Sequence, residues 1–316
     1  MKKFLVKLSA FILAVSSILL ILNWLYFPIA TESQTYGAEK YRDMPEHIQI
    51  CNFGSSHGEY GFNYDGVSDK FSCFNFALNS QTLMYDYRIL QHYIDRIDEG
   101  GIVIIAASYF SFFGRPETEA KSFISLNNRY YKILPPELIK NYDIITDYII
   151  NYLPILTFDI KKAFNAIRGV KTVEEIQTAE TLDDIKEVGK KRADYHFNGI
   201  KSNENGSIRF SNEKIDSLYK IIELCMNRKL IPILVTTPCL TEYSSHFKND
   251  SEFMKAFHSV IDEVIRTTGI RYYDYSEDER FSHDRKLFRD TDHLNPNGAL
   301  KFTNILVNDV MNDLKH

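Results

Sequence analysis

The sequence has few of the residues that interrupt or crosslink a chain. Its 316 residues include 14 Gly, 9 Pro, 4 Cys and a single Trp. With aromatic residues at 14%, this composition argues against a fibrous repeat or a disordered chain. The four cysteines show no C-x-x-C spacing, so a zinc ribbon or a thioredoxin-type site has no support. Cys51, Cys73 and Cys225 each lie in an apolar segment, which predicts buried free thiols.

Basic residues are outnumbered as well, because 37 Lys and Arg face 42 Asp and Glu. Three of the lysines, Lys2, Lys3 and Lys7, precede the first apolar run. The rest of the chain is therefore more acidic than the net charge of −5 suggests. Such a surface repels phosphate backbones, and we do not expect nucleic acid as a partner.

The segment Leu8–Ala30 contains no charged residue. At about 1.5 Å per helical residue it is long enough to cross a hydrocarbon core of roughly 30 Å. The lysines before it place the N-terminus in the cytoplasm and the rest of the chain outside, in the periplasm or at the cell surface. Trp24 and Tyr26 suit the outer membrane–water interface. The segment therefore predicts a single-pass signal anchor in the cytoplasmic membrane, with the lipid bilayer as a partner.

A cleaved signal peptide is the alternative interpretation of the same segment. The apolar run is longer than the usual signal core of about 7–15 residues, and no clear A-x-A site follows it. Both interpretations give an exported protein. We divide the chain into a tip and span (1–30), a polar linker (31–45) and one globular domain (46–316).

The globular part alternates between strand-like and helix-like patterns. Five short apolar runs, each stopped by turn residues, are predicted strands: His47–Phe53, Phe71–Leu78, Ile102–Ala107, Ile231–Val235 and Ile270–Tyr275. Segments with helical spacing of apolar residues lie between several of them. This alternation predicts a three-layer α/β/α fold with a central parallel sheet, of the flavodoxin-like kind. Ligands in such sheets bind beyond the carboxyl ends of the strands.

Three helices have boundary signals. The first begins near Leu83, and Gly100–Gly101 is its predicted end. The second contains Ile215 to Cys225, with Ser211 as a plausible N-cap. Asn295–Pro296 opens the last helix.

The alternation fails between about residues 114 and 207, where the pattern is mainly helical with aromatic clusters. We interpret this region as a helical insertion. Because it follows the carboxyl end of a strand, it could cover the active face as a lid or a substrate-selecting element. Alternatively, it only extends the core.

Two loops carry residues suited to chemistry. Gly54–Ser56 directly follows the first predicted strand, so a serine hydroxyl would stand above the sheet, although Gly-Ser-Ser is also ordinary loop composition. Asp290 and His293 lie one turn apart between the last strand and the last helix. A carboxylate there can hold one ring nitrogen while the other faces outward as a base. Both loops fall at the carboxyl edge of the sheet.

These two loops and their strand contexts resemble the SGNH (GDSL-like) serine hydrolase superfamily, and most closely its membrane-anchored branch whose first motif reads G-S-S-H. The resemblance covers most of residues 47–314 outside the insertion. It implies a catalytic triad of Ser56, His293 and Asp290 that attacks an ester carbonyl. It requires no cofactor and no metal.

The resemblance also implies an oxyanion site. Besides the backbone of Ser56, the second sequence block supplies Ser80, at the usual Gly position, and Asn79. The third block departs from the family because Ser108 and Tyr109 stand where G-x-N-D is expected, without the Asn. Loss of one oxyanion donor costs on the order of 10²–10³ in rate.

The neighbouring residues allow more than one role. Ser108, Tyr109 or Ser111 could substitute a hydroxyl for the missing Asn, or Asn79 could reach in. Asn75 is expected to brace the turn rather than touch substrate.

His57 could contact substrate or position Ser56, or it could be a loop histidine that faces solvent. A metal-dependent phosphoesterase is a rival interpretation, with Asp290, Asp292, His293 and His57 as ligands, but it would normally require more ligands on other strand ends.

Two function classes follow from these observations. The first is a membrane-anchored extracytoplasmic serine esterase or O-acyltransferase that acts on acyl groups, with acetyl favoured, of a cell-envelope polysaccharide or glycolipid. The second is a catalytically weak or inactive SGNH-like protein that binds glycan or lipid during envelope assembly.

Overall fold

The computed structural model describes residues 1–35, 37–114, 127–157, 182–201 and 207–315. Five strands form one sheet: β1 (Ile48–Phe53), β2 (Cys73–Asn75), β3 (Ile97–Ala106), β4 (Ile231–Thr236) and β5 (Arg271–Asp274). Their order is β2-β1-β3-β4-β5, and all neighbouring pairs are parallel. The predicted central parallel sheet of a three-layer α/β/α fold is confirmed.

The described helices are α1 (Lys2–Thr35), α2 (Ser56–Gly61), α3 (Leu83–Tyr93), α4 (Ile144–Tyr152), α5 (Leu182–Ile200), α6 (Asn212–Asn227), α7 (Thr241–Lys248), α8 (Ser251–Thr268) and α9 (Pro296–Asp313). Side chains of β1, β3 and β4 are buried on both sides of the sheet. One sheet face, which includes Ile50, Ile104 and Ile233, belongs to the core that contains Phe302 and Leu306 of α9.

The chain forms two compact units. One consists of Met1–Arg42 with Ser122–Glu175, and the other of Asp43–Lys121 with Ile176–His316. The second unit contains the whole sheet and also α5, which lies in the predicted insertion. The predicted boundaries at residues 30 and 45, and the insertion at 114–207, stay predictions.

The predicted end of the first helix at Gly100–Gly101 is wrong. Helix α3 ends at Tyr93, and β3 already begins at Ile97, so the two glycines lie inside the strand. Gly100 has a φ of 80°, and the pairing of β1 with β3 shifts register between Ile48 and Ile50. A local irregularity of this kind masks the strand pattern in the sequence.

Two helices between β4 and β5, α7 and α8, have no counterpart in the sequence analysis. Helix α8 carries readable signals at both ends, because Asp250 accepts a hydrogen bond from the Phe253 N–H and Gly269 adopts a left-handed conformation. By contrast, Asn295 caps α9 as expected, accepting from the N–H groups of Asn297 and Gly298. The three cysteines predicted as buried free thiols are free; Cys51 and Cys225 are buried, whereas Cys73 is only partly buried, and the fourth, Cys239, is a buried free thiol as well.

Among the described residues, one helix is long and apolar enough to cross a membrane. It is the Lys2–Pro28 part of α1, with a mean hydropathy of 2.5.

Candidate active site

The turn after β1 presents Ser56 at the carboxyl edge of the sheet, where α2 begins. Gly54 has a φ of 137°, and a Cβ at this position would lie 2.9 Å from the Ala106 Cβ. A Cβ on Gly58 would lie 2.8 Å from that of Ala77. Only glycine fits at these two positions, so the tight turn that lifts Ser56 above the sheet depends on both.

Buried polar side chains hold this turn in place. Asn75 donates to the carbonyl groups of Gly58 (3.2 Å) and Glu59 (3.1 Å), so it braces the turn as expected. Asp86 of α3 accepts from the Gly54 N–H at 3.0 Å. Asp86 was not among the predicted site residues, because a single acidic residue in a helical pattern is typical of a solvent-facing position.

The structure brings Ser56, His293 and Asp290 into one hydrogen-bonded chain. Ser56 Oγ lies 2.8 Å from His293 Nε2. On the other side of the ring, His293 Nδ1 lies 2.8 Å from Asp290 Oδ2. Asp290 also accepts from the backbone N–H groups of Asp292 and His293, which fixes its carboxylate relative to the ring.

The proton positions follow from these partners. A carboxylate only accepts, so His293 Nδ1 carries the hydrogen and Nε2 offers its lone pair to the Ser56 hydroxyl. Burial disfavours protonation of His293, but the charges of Asp292 and Asp290 outweigh it and raise its pKa above the ordinary value. His293 is therefore a strengthened base next to a serine hydroxyl.

A second histidine–aspartate pair lies beside the first. His57 Nε2 is 3.2 Å from Asp292 Oδ2, and the rings of His57 and His293 meet edge to face with centroids 5.1 Å apart. The other nitrogen of His57, Nδ1, lies 2.8 Å from Ser108 Oγ. His57 is buried, so the solvent-facing interpretation of this residue is wrong.

Asp292 is fully buried and also faces Arg192 of α5, whose Nε lies 3.0 Å from Asp292 Oδ1. Burial alone would raise the pKa of Asp292, but the charges of His293 and Arg192 and the hydrogen bond from His57 hold it well below its usual range. Burial lowers the pKa of His57, and the bond to Asp292 only partly offsets this. His57 is therefore neutral, and Ser108 is the donor to its Nδ1.

Sequence analysis missed Arg192 and also His196, which lies one turn further along α5. His196 Nδ1 is 2.7 Å from the Tyr243 hydroxyl, and burial lowers the pKa of His196 to about 3. The available signal was the spacing of four residues between an arginine and a histidine on one helix face. It gave no indication of which loop that face would meet.

The remaining predicted residues lie in two places. Ser80 has a left-handed φ of 56°, and its hydroxyl donates to Asn79 Oδ1 at 3.3 Å. Their turn adjoins the Ser56 loop, because the Leu78 N–H donates to the Gly54 carbonyl. Tyr109 is buried, and its ring stacks on Phe247 within a cluster of aromatic side chains, so it acts in packing here.

The structure also bears on the metal alternative. Ligand atoms of His57, Asp292 and His293 lie within 4.8 Å of one another. However, Asp292 already binds the Arg192 guanidinium, and both nitrogens of His57 have protein partners. A positive side chain at the central carboxylate opposes a cation, so this arrangement favours a hydrogen-bonded network over a metal centre.

A cleft of about 820 Å³ adjoins the site. Tyr60 lines it and also contacts the His293 ring, with centroids 5.3 Å apart. The Arg289 guanidinium lies over the Tyr60 ring, 4.2 Å from its centroid, and Arg289 lines the same cleft. Tyr60 thus connects this cleft to the His293 ring, whereas Ser56 and His293 are not among the residues that line it.

No protein-family model matches this sequence, and a comparison with curated proteins finds no match. Among solved structures, the chain is similar to one described as a putative acylhydrolase from Bacteroides fragilis. The sequence identity is 11%, the match covers 88% of this chain and 95% of that one, and the TM-score is 0.41. A likeness at this level carries no information about reaction or substrate.

Proposed function

We propose that this chain is a membrane-anchored serine esterase or O-acyltransferase of the SGNH type. The observation that carries the proposal is the Ser56–His293–Asp290 chain, with both hydrogen bonds at 2.8 Å. This order of hydroxyl, imidazole and carboxylate is the arrangement that activates a serine in acyl transfer.

In the proposed reaction, Ser56 Oγ attacks the carbonyl carbon of an ester while His293 Nε2 takes the hydroxyl proton. Collapse of the tetrahedral intermediate breaks the bond to the alcohol, which receives that proton from His293. Water or a second hydroxyl, deprotonated by His293, then attacks the acyl-enzyme. The bond to Ser56 Oγ breaks, Oγ takes the proton back from His293, and the acid or the new ester leaves. Asp290 orients the ring and stabilises its positive charge at each protonated stage.

The oxyanion would be held by the backbone N–H groups of Ser56 and Ser80. Ser80 adopts the left-handed backbone that the family's glycine would adopt, with a φ of 56°. That conformation supports the alignment of this turn with the second sequence block. In the third block, the Ser108 hydroxyl is directed to His57, so we do not assign it to the oxyanion.

The substrate class follows from the anchor and the resemblance. Helix α1 would hold the catalytic unit on the outer side of the cytoplasmic membrane, where acylated glycans or glycolipids are assembled. An acyl group, with acetyl favoured, on a cell-envelope polysaccharide or glycolipid is therefore the proposed substrate.

The proposal is tested with a fluorophosphonate probe and a chromogenic acetyl ester on the full-length protein in detergent. We expect the wild-type protein to be labelled and to release acetate, and Ser56→Ala to lose both properties. Ser55→Ala is the matched control, because the buried Ser55 hydroxyl has no hydrogen-bond partner among the described residues. It should keep labelling and turnover.

The second function class, a glycan- or lipid-binding protein without efficient catalysis, is favoured by the missing Asn in the third block. It predicts that wild-type Ser56 resists the probe even at high concentration. Equal labelling of wild type and Ser56→Ala would remove Ser56 from the mechanism.

A further inference from the structure

Helix α4, in the same compact unit as α1, has an apolar side that faces solvent. Its residues recur every fourth position and continue into the turn that follows the helix, and each is between 57% and 71% exposed: Ile144, Tyr148, Tyr152 and Leu156. We name these four residues the α4 apolar face. Within α4, a spacing of four places Ile144, Tyr148 and Tyr152 along one side of the helix, and Leu156 lies in the turn that follows.

The polar side chains of α4 are hydrogen-bonded within the same segment. Asp143 caps the helix by accepting from the Thr146 N–H at 2.7 Å. Asp147 accepts hydrogen bonds from Tyr142 and Asn151. The helix contains no Lys or Arg. The α4 apolar face therefore has no basic side chain from its own helix beside it.

Asn23 attaches this segment to α1. It is a buried amide within the apolar run of α1, and its Nδ2 donates to the Tyr152 carbonyl at 2.9 Å. Its Oδ1 accepts from the Ile155 N–H at 3.1 Å. Both halves of the amide are therefore satisfied by the segment that carries the α4 apolar face. This removes the cost of a polar side chain inside an apolar span.

Lys132 marks where the surroundings of α1 become polar. Its ammonium lies 5.4 Å from the centroid of the Phe27 ring, one turn beyond Asn23 along the helix. Four residues correspond to about 6 Å of helix. A lysine avoids the hydrocarbon core, so the outer boundary of the core falls between these two levels.

We propose that the α4 apolar face is a second membrane contact, which lies in the outer leaflet beside α1. The proposal rests on the proposed span of α1. It is supported by the exposure of Trp24 and Leu25, which follow Asn23 on α1 and are also exposed apolar side chains. Segments that lie in the interface insert about 5–10 Å into the headgroup and acyl boundary, which matches the level of Asn23. Two attachments fix the orientation of this unit at the bilayer better than one helix does.

The test uses the single natural tryptophan. In a Trp24→Phe background of the full-length protein, Tyr148→Trp places one reporter on the α4 apolar face, where Tyr148 is 57% exposed. Tyr195→Trp is a control on a tyrosine of α5 that is 71% exposed. Each protein is reconstituted in phosphatidylcholine vesicles whose acyl chains carry bromine either near the headgroup or near the chain end. Aqueous acrylamide is the second quencher.

We expect the fluorescence of the Tyr148→Trp protein to be quenched more by bromine near the headgroup than by bromine near the chain end. It should also be shielded from acrylamide relative to the Tyr195→Trp control. Because the helix lacks basic residues, added salt should not reverse the result. Tyr152→Trp should give the same pattern.

Three results would overturn the proposal. Acrylamide quenching of the Tyr148→Trp protein equal to that of the control would place the face in water. Shielding of this reporter from both quenchers would mean that protein, such as a second copy, covers it. Absence of bromine quenching of Trp24 in the unaltered chain would reject the span and this contact together. None of these readouts depends on turnover by Ser56, so they leave the proposed reaction separately testable.

Discussion

The two histidine–aspartate pairs at the carboxyl edge of the sheet are alike in composition and opposite in arrangement. His293 directs Nδ1 to Asp290 and Nε2 to Ser56, whereas His57 directs Nε2 to Asp292 and Nδ1 to Ser108. The Asp290 side chain is 33% exposed, while that of Asp292 is fully buried against Arg192.

The surroundings of the two histidines shift their pKa values in opposite directions. The pKa of His293 is raised and that of His57 is lowered from their ordinary values, although the rings are in contact. His293 lies beside two carboxylates, Asp290 and Asp292. Asp292, by contrast, is contacted by both His57 and the Arg192 guanidinium. Two pairs built from the same residue types therefore have different roles. The first pair is suited to proton transfer and the second to holding a fixed charge beside it.

Replacement of each histidine by alanine should give the largest difference in activity between the two pairs. We expect His293→Ala to lower kcat/KM for an acetyl ester by about 10⁴-fold or more, because the serine loses its base. His57→Ala should cost up to about 10²-fold, as expected from displaced geometry alone. Equal losses in the two variants would show that both rings take part in proton transfer.

Removal of the cation that pairs with the second aspartate should affect stability. Arg192→Met leaves Asp292 buried and charged without its guanidinium, and we expect a loss of up to about 3 kcal/mol in the free energy of unfolding. The 32% exposure of the Arg192 side chain keeps the value at the lower end for a buried pair. Lys191→Ala, in an exposed pair with Glu187, is the control and should change stability by less than about 0.5 kcal/mol. Urea unfolding of the full chain in detergent measures both.

Ser108→Ala separates a structural hydroxyl from an oxyanion donor. Since this hydroxyl donates to His57, we expect a loss of about 1 kcal/mol in stability and less than about tenfold in kcat. A loss of 10²–10³ in kcat with an unchanged KM would instead identify Ser108 as the missing oxyanion donor.

The pH dependence tests the electrostatic part of the comparison. His293 must be neutral to accept a proton, so its raised pKa places the acid limb of kcat/KM above about pH 6.5. Asp292→Asn removes a negative charge that favours protonated His293, and the acid limb should move to lower pH. Asp262→Asn, an exposed change on α8, should leave the profile in place. A shift to higher pH in Asp292→Asn would contradict the assigned charges.

Much of the fold could be predicted because its signals are local. Buried parallel strands show as continuous apolar runs, and the cap at Asn295 needs only its own neighbours. The Gly100–Gly101 pair was misplaced because a strand with an irregularity and a helix end share the same residue signal. The helices α7 and α8 carry ordinary signals, including Asp250 and Gly269, which sequence analysis did not use.

The candidate site likewise combines features that are local in the sequence with contacts between distant segments. That Gly54–Ser56 follows the first strand and that Asp290 and His293 lie one turn apart could be predicted from the sequence, because these are short-range relations along the chain. The folded chain was needed to show that Arg192, from a helix 100 residues before Asp292, neutralises that carboxylate and that Ser108 donates to His57. A buried charge needs a partner, but any element that reaches it can supply one. Electrostatic and hydrogen-bond partners are selected by their distance in space. The separation of two residues along the sequence does not give that distance.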